Sequence, residues 1–257
     1  MKTGPVRSAR DDVRSNLLTI DCGNSTIDCL RHVDGVRLRL SVNGLEKASL
    51  AAFLAASVPA RILGVSVSAR ALGVLESALA PTGGRLELAG RELCCPLAID
   101  YEDPGSLGAD RWVGALAAYR RRGASVVVDC GSATTVNWID ASGIFRGGAI
   151  APGLRAFVAG LAAVTPGLPS PNLDAVGHLP ARSSQAAVDA GVLIGYCGMV
   201  ERLVAEALRK AGGSTGVLLT GGNAPRLLLH TRLRVMHVPS LVHDGLVVLA
   251  QGSSCGC

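Results

Sequence analysis

Aromatic side chains are almost missing from this chain: Phe, Tyr and Trp together make up 3% of its 257 residues. A folded core must therefore be built from Ala, Val and Leu, and few rings are left to stack on nucleic-acid bases. The basic residues are scattered, so the net charge of +5 suits a small anionic substrate and argues against a nucleic-acid partner. No charge-free apolar run reaches the ~18 residues that a membrane span requires, and no signal peptide is apparent, which predicts a soluble cytoplasmic protein without a membrane partner. The eight cysteines are too sparse for a disulfide scaffold. Neither Cys94-Cys95 nor Cys255-Gly-Cys257 has zinc-ribbon spacing, and all are expected to be structural thiols. The length leaves room for one large or two small domains.

What the chain does have is a duplicated pattern. In Ser125 to Ile139, the β-branched run Val126, Val127 and Val128 reads as a strand buried on both faces. It ends at Asp129 and turns at Gly131, where backbone N–H groups can face a ligand. Ser132, Thr134 and Thr135 place hydroxyls on the turn before a second strand, Val136 to Ile139. A carboxylate beside a glycine turn and hydroxyls suits a metal-bound phosphate. The same order, strand, Asp-Cys-Gly, small polar pair and strand, occurs in Leu17 to Asp28. Cys22 and Cys130, which follow the two Asp residues, read as small buried thiols.

Met1 to Ser15 is charged and without periodicity, as expected of a disordered leader. Asp34-Gly35 turns a hairpin between Ile27–Val33 and Val36–Val42, opening a β-meander. A helix is expected over Leu45–Ser57, a strand over Ile62–Val67 and a helix over Ala69–Leu79. A loop from Cys94 to Leu107 leads into a helix from Trp112 to Arg121, with Asp110 and Arg111 in its first turn. Capping explains Asp110 there, whereas Arg111 opposes the helix dipole and fits a ligand-binding group. Gly147-Gly148 and Pro152-Gly153 allow close backbone approach ahead of a helix. Thr165 to Pro180 is expected to be a mobile flap. Ser183 or Ser184 caps the longest helix, Gln185 to about Lys210, whose Gly191, Gly195 and Gly198 permit close packing on a neighbouring helix or subunit. The strand from Val217 runs into Gly221-Gly222, and Leu241–Ala250 closes the chain.

Two Asp-x-Gly hairpins one domain apart resemble the phosphate loops of the acetate kinase, sugar kinase, Hsp70 and actin superfamily. From Leu17 to about Ala250 the chain resembles type III pantothenate kinases more narrowly. The matching run is Asp21-x-Gly-Asn, Tyr101-x-x-Pro, Gly108-x-Asp-Arg111, Asp129-x-Gly-Ser-Ala-x-Thr, Gly147-Gly-x-Ile-x-Pro-Gly153 and Thr220-Gly-Gly. The resemblance implies an α/β fold with two ribonuclease H-like domains around a nucleotide cleft, here residues 17–122 and 123–257 after a leader of 1–16. It also implies a cytoplasmic homodimer that phosphorylates pantothenate with ATP at the start of coenzyme A synthesis. By position, Asp21, Cys22, Gly23, Asn24, Ser25, Thr26, Ile27 and Asp28 would hold ATP phosphates, with Asp21 reaching Mg2+ through ATP. Ser132 would contact ATP, and Gly221 and Gly222 would face the adenosine. Asp110 would be the base; Tyr101, Gly108, Ala109, Asp110, Arg111 and Ser184 would contact pantothenate; Asp129 would bind K+ or NH4+. The chain departs from the family in having Ser132 and Ser184 for Thr, Asn137 for Asp, and no basic residue in Val164 to Pro169. Two other classes stay open: a divergent sugar or N-acetylhexosamine kinase, against which Gly-Ala-Asp-Arg counts, and a non-catalytic regulatory relative, against which Asp21 and Asp110 count.

Overall fold

The computed structural model describes residues 16–44, 47–56, 61–212 and 215–252. They form two compact units, one made of the described residues within 1–97, 105–117 and 242–252, the other of those within 98–104 and 118–241. The expected leader, both ends of the helix expected over Leu45–Ser57, and Cys255 and Cys257 lie outside the described residues.

The first unit is a five-stranded sheet in the order β3-β2-β1-β4-β5. Strands β1 (Leu17–Cys22), β2 (Thr26–Arg31) and β3 (Arg37–Ser41) form the expected antiparallel meander, and β4 (Arg61–Ser66) and β5 (Leu86–Leu88) continue the sheet in parallel. Alternation along the strands decides the faces. Leu18, Ile20 and Cys22, with Ile27 and Cys29, form one core with Leu50 and Leu54 of α1 (Lys47–Ala55) and Ala71, Leu75 and Leu79 of α2 (Ala69–Leu79). Each fully buried leucine contributes about 2 kcal/mol. Helix α2 starts where Ser68 accepts a hydrogen bond from Ala71 N–H at 3.3 Å. The unit also holds the start of α3 (Ala109–Arg122) and the closing helix (Leu241–Gln251) from Val242 onward.

Cutting the chain at residue 122 would assign the closing helix to the second unit, whereas it is tied to the first sheet. Thr19 bonds His243, and Arg61 donates to the Ala250 carbonyl at 3.2 Å. Gly245 lies against the Val113 carbonyl of α3, where a Cβ would not fit.

The second unit is a six-stranded sheet, ordered β11-β10-β7-β8-β9-β6. Its strands are β6 (Ala98–Ile99), β7 (Ser125–Cys130), β8 (Ala133–Ile139), β9 (Ile144–Pro152), β10 (Gly216–Thr220) and β11 (Met236–His237). The Val126–Val128 run is central, antiparallel to β8 on one side and parallel to β10 on the other. Val126, Val128, Val136 and Leu219 pack against Leu154 of α4 (Leu154–Val164) and Val192, Tyr196 and Val200 of α5 (Ser184–Ala211); α6 (Ala224–Leu228) adds Leu227. Ser183, not Ser184, caps α5, accepting from Ala186 N–H at 3.2 Å. The segment expected to be a flap is irregular but anchored: Asp189 accepts from Asn172 N–H at 2.7 Å, and Asp174 pairs with Arg226 at 2.9 Å.

Cys22, Cys29, Cys95, Cys130 and Cys197 are free thiols, and burial pushes those of Cys22 and Cys130 up to about 12. Cys94 departs from the thiol expectation and is disulfide-bonded.

Gly148 faces Asn137 in the β8–β9 ladder, and a Cβ there would overlap the Val136 carbonyl. Gly148→Ala should therefore lose about 2–3 kcal/mol in urea unfolding. Gly73→Ala, inside α2 with nothing within 4 Å, should gain about 0.5–1 kcal/mol. Equal midpoints for the two variants would contradict the packing described.

Candidate active site

In the second unit three glycine-bearing segments meet at the ends of β7 and β10. Gly131 N–H donates to the Ala133 carbonyl at 3.1 Å and closes the turn after Asp129. Asp129 is paired in register with Thr220, so the Gly221-Gly222 turn follows directly beside it. Gly221 has φ +92°, and a Cβ on it would press on Asp129 Oδ1 and the Cys130 backbone. Asn223 stitches the two turns together, its N–H donating to Cys130 O at 2.9 Å and its Nδ2 to Gly131 O at 3.2 Å. Gly153, which precedes α4, lies so close to the Gly131 and Ser132 carbonyls that no side chain fits.

The hydroxyls of this hairpin divide differently from the expectation. Ser132 is exposed, but Thr134 is fully buried and its Oγ1 lies 2.7 Å from Tyr196 Oη. Thr135 Oγ1 accepts from Asn137 Nδ2 at 3.0 Å, and Asn137 is itself 1% exposed. Ser132 is the most exposed of the three, Thr135 is half-buried and Thr134 is buried.

The first hairpin is the same device with one residue more. Asp21 is opposite Asp28, seven positions on, whereas Asp129 is opposite Thr135, six positions on. Gly23 N–H closes the turn on the Thr26 carbonyl at 2.9 Å. Cys22 and Ile27 send their side chains into the core, leaving only backbone for a ligand, while Asn24, Ser25 and Thr26 remain at least partly exposed. A Cβ on Gly23 or Gly131 would approach no atom closer than 3.5 Å or 3.4 Å. The fold itself has no strong need of glycine at either turn, which fits a demand made by a ligand.

Asp28 stands apart from the other residues of this loop. It is 5% exposed, and Arg37 Nε and Nη2 each donate to its carboxylate at 2.7 Å. Arg39 Nε lies 3.7 Å and His243 Nε2 3.5 Å from the same group. Burial alone would raise this carboxyl, but His243 and Arg37 more than reverse that and hold it well below the carboxylate range. A carboxylate so fully engaged fits an internal hub better than a metal ligand.

Asp110 is the second residue of α3, and its Oδ1 accepts from Arg111 N–H at 2.9 Å. A Cβ on Gly108 would lie 2.7 Å from that oxygen, so glycine there leaves the carboxylate its place. Desolvation raises the Asp110 carboxyl, outweighing the Arg111 N–H and the Arg111 charge. Arg111 is 7% exposed, a buried cation rather than a solvated one, and Ala109 sits 3.5 Å from the Cβ position of Gly90.

In the second unit Tyr101 packs on the Cβ position of Gly147 at 3.7 Å and tilts against Phe145 with ring centroids 6.5 Å apart. Neighbouring Asp100 is fixed by Arg146 at 2.8 Å. Ser184, away from the hairpin, borders a cavity of about 450 Å3 with Phe157, Leu168 and Gly191. Among the described residues no three His, Cys, Asp or Glu side chains gather to hold a metal ion, and no helix is long and apolar enough to cross a membrane.

The family model of type III pantothenate kinase matches residues 17–206, which include both hairpins and the Gly108–Arg111 segment. The chain belongs to the type III pantothenate kinase family. A type III pantothenate kinase of Rhodopirellula baltica is 42% identical over 161 residues, covering 59% of this chain and 57% of the relative. One from Alkalilimnicola ehrlichii is 39% identical over 161 residues, covering 62% and 64%. The chain thus spans about three fifths of the length of these relatives. Among solved structures, a Baf family protein of Campylobacter jejuni, named as a candidate transcriptional activator, has a TM-score of 0.60 at 20% identity, covering 91% of this chain and 97% of its own. A candidate 2-dehydro-3-deoxygalactonokinase of Sinorhizobium meliloti has a TM-score of 0.54 at 15% identity, covering 91% and 98%. These two likenesses bear on the fold alone, which is the actin-like ATPase fold built from ribonuclease H-like α/β units.

Sequence reasoning gave no role to Asn223, Tyr196, Arg37 or His243. Asn223 follows the quoted Thr-Gly-Gly run and could have been found as the next polar residue. Tyr196 and His243 act on residues far away in the chain and leave no local signal, whereas Arg37 lies just across the Asp34-Gly35 hairpin from Asp28 and was within reach of the strand register. In this pantothenate kinase family member the Gly221 turn combines a left-handed backbone with close packing on Asp129 and the Cys130 backbone. Gly221→Ala should therefore cost about 3 kcal/mol, from the left-handed backbone and the overpacking together, read as a lower urea midpoint. An unchanged midpoint would mean that the turn relaxes freely.

Proposed function

We propose that the chain transfers the γ-phosphoryl group of ATP to the 4′ hydroxyl of pantothenate, giving 4′-phosphopantothenate and ADP, the first step of coenzyme A biosynthesis. The observation that carries this reading is the pair of Asp-x-Gly turns, closed by their own backbone and free of bulk at glycine, in a member of this family. The backbone of Gly23–Thr26 and of Gly131–Ser132 would cradle the phosphates, with Gly221 and Gly222 toward the adenosine. Magnesium brought by the nucleotide would be held through Asp21 and would neutralise phosphate charge.

Asp110 would accept the proton as the pantothenate oxygen bonds to phosphorus and the bond to ADP breaks. Its raised affinity for a proton suits a base that works late in a loose transition state. Arg111, Tyr101, Gly108, Ala109 and Ser184 would orient pantothenate, the arginine through its carboxylate. Asp129 would face a potassium or ammonium ion. Gly191 and Gly198 on α5 are exposed with no described atom within 4 Å of a Cβ, which supports a homodimer packed along that helix. Such an enzyme would work in the cytoplasm.

A coupled ADP-release assay with pantothenate, glucose or N-acetylglucosamine, run in KCl and NaCl, tests the reading. Turnover should require pantothenate and run faster in KCl. Asp110→Asn keeps the Arg111 N–H contact, so the melting temperature should hold while turnover falls about 100-fold or more. Because the base must be ionised and burial raises its carboxyl, wild-type kcat/KM should fall on acidification at a higher pH than an exposed aspartate would give. Turnover on a sugar, or a near-normal rate for Asp110→Asn, would overturn the assignment.

A further inference from the structure

His243 belongs to the closing helix, yet its ring is 2% exposed and lies across both strands of the first hairpin. Nδ1 is hydrogen-bonded to Thr19 Oγ1 on β1 at 2.8 Å, and Nε2, which completes no hydrogen bond, makes a close polar contact with Asp28 Oδ1 on β2 at 3.5 Å. Thr19 precedes Asp21 by two residues on the same face, and Asp28 is the cross-strand partner of Asp21. The imidazole therefore touches the two positions that flank Asp21, one along its strand and one across the ladder.

The arrangement has the order of an Asp-His-hydroxyl triad, but Thr19 is fully buried and cannot meet a substrate, so a nucleophile is excluded. Nor is the ring needed to keep its neighbours from being orphaned. Thr19 Oγ1 also lies 2.9 Å from His32 Nε2, and Asp28 keeps Arg37 at 2.7 Å on both oxygens. Removing the ring would leave each group with a partner while releasing the two strands from their shared anchor.

We propose that His243 is a positioning residue: it fixes the offset of β1 against β2 beside Asp21 and so sets where the first turn meets the phosphates of a nucleoside triphosphate. The inference rests on the phosphate-binding reading of that hairpin. Backbone donors aimed at phosphate must be held to a fraction of an ångström, and a ribbon held only by its ladder twists more freely than one bridged by a buried ring.

The test measures the Kd of magnesium and a non-hydrolysable ATP analogue by calorimetry, with KM values for MgATP and pantothenate beside it. His243→Leu and Thr19→Val should each weaken nucleotide binding and raise the MgATP KM by about tenfold, with the pantothenate KM and kcat within about twofold. The double variant should lose no more than either single one, because both remove one bridge. His243→Asn, which can still reach Thr19, should recover to within about threefold of wild type. Leu75→Ala, on the opposite face of the sheet, serves as the destabilised control and should lower the melting temperature with nucleotide affinity intact. Unchanged affinity in His243→Leu and Thr19→Val, or an equal loss in Leu75→Ala, would overturn the proposal and reduce His243 to packing. A wild-type chain that binds nucleotide but phosphorylates no pantothenate would sink the proposed activity and leave the positioning role standing. A wild-type chain that binds no nucleotide would remove both.

Discussion

A buried strand that ends in a carboxylate and turns back through a glycine is the constraint on which the rest of this structure depends. The strand must be apolar and β-branched to sit in the middle of a sheet, as Val126–Val128 does. The turn that follows must expose backbone without bulk. Gly131 and Gly23 satisfy this, with no neighbour crowding the place of a side chain at either. Gly153 and Gly221 press against the second turn so closely that neither could carry a side chain.

Each hairpin is also held from behind by one buried polar contact to a distant helix. Tyr196 of α5 reaches Thr134 at 2.7 Å, and His243 of the closing helix reaches Thr19 at 2.8 Å. Packing alone would bury these faces with less directional control; hydrogen bonds in a dry interior are strong and directional and so fix geometry. Both units thus present a flexible-looking turn on a backbone that has little freedom. That combination is what phosphoryl transfer asks of a protein, since catalysis there is mostly positioning and charge neutralisation.

Much of this was legible in the residues. The valine run, the repeated Asp-Cys-Gly and the Asp34-Gly35 turn gave the hairpins, and the apolar spacing of Ala69–Leu79 gave α2 with the bounds it has in the fold. Of the glycine segments that converge beside Asp129, Pro152-Gly153 reads as a place of close backbone approach, Gly131 as a tight turn toward a ligand and Gly221-Gly222 as a turn toward the adenosine. What stayed hidden was of two kinds. Strands such as β6 and β11 span two residues each, too short for any period to appear, and exist only because a neighbouring strand offers a ladder. Side-chain roles set by distant partners were hidden as well. Asp28 looked like part of a phosphate loop until Arg37 and His243 were seen to engage it, and Thr134 looked like a turn hydroxyl until Tyr196 was found behind it. Register and alternation could place those residues on a face, but only the folded chain says what the face meets.

The proposal that each hairpin turn binds nucleotide phosphate is tested most directly by hydrogen–deuterium exchange with magnesium and a non-hydrolysable ATP analogue. Amides of Gly23–Thr26 and of Gly131–Ala133 should both gain protection, while α2 stays unchanged. An absence of protection at either turn, or protection of α2 as large as that of the turns, would contradict phosphate binding there.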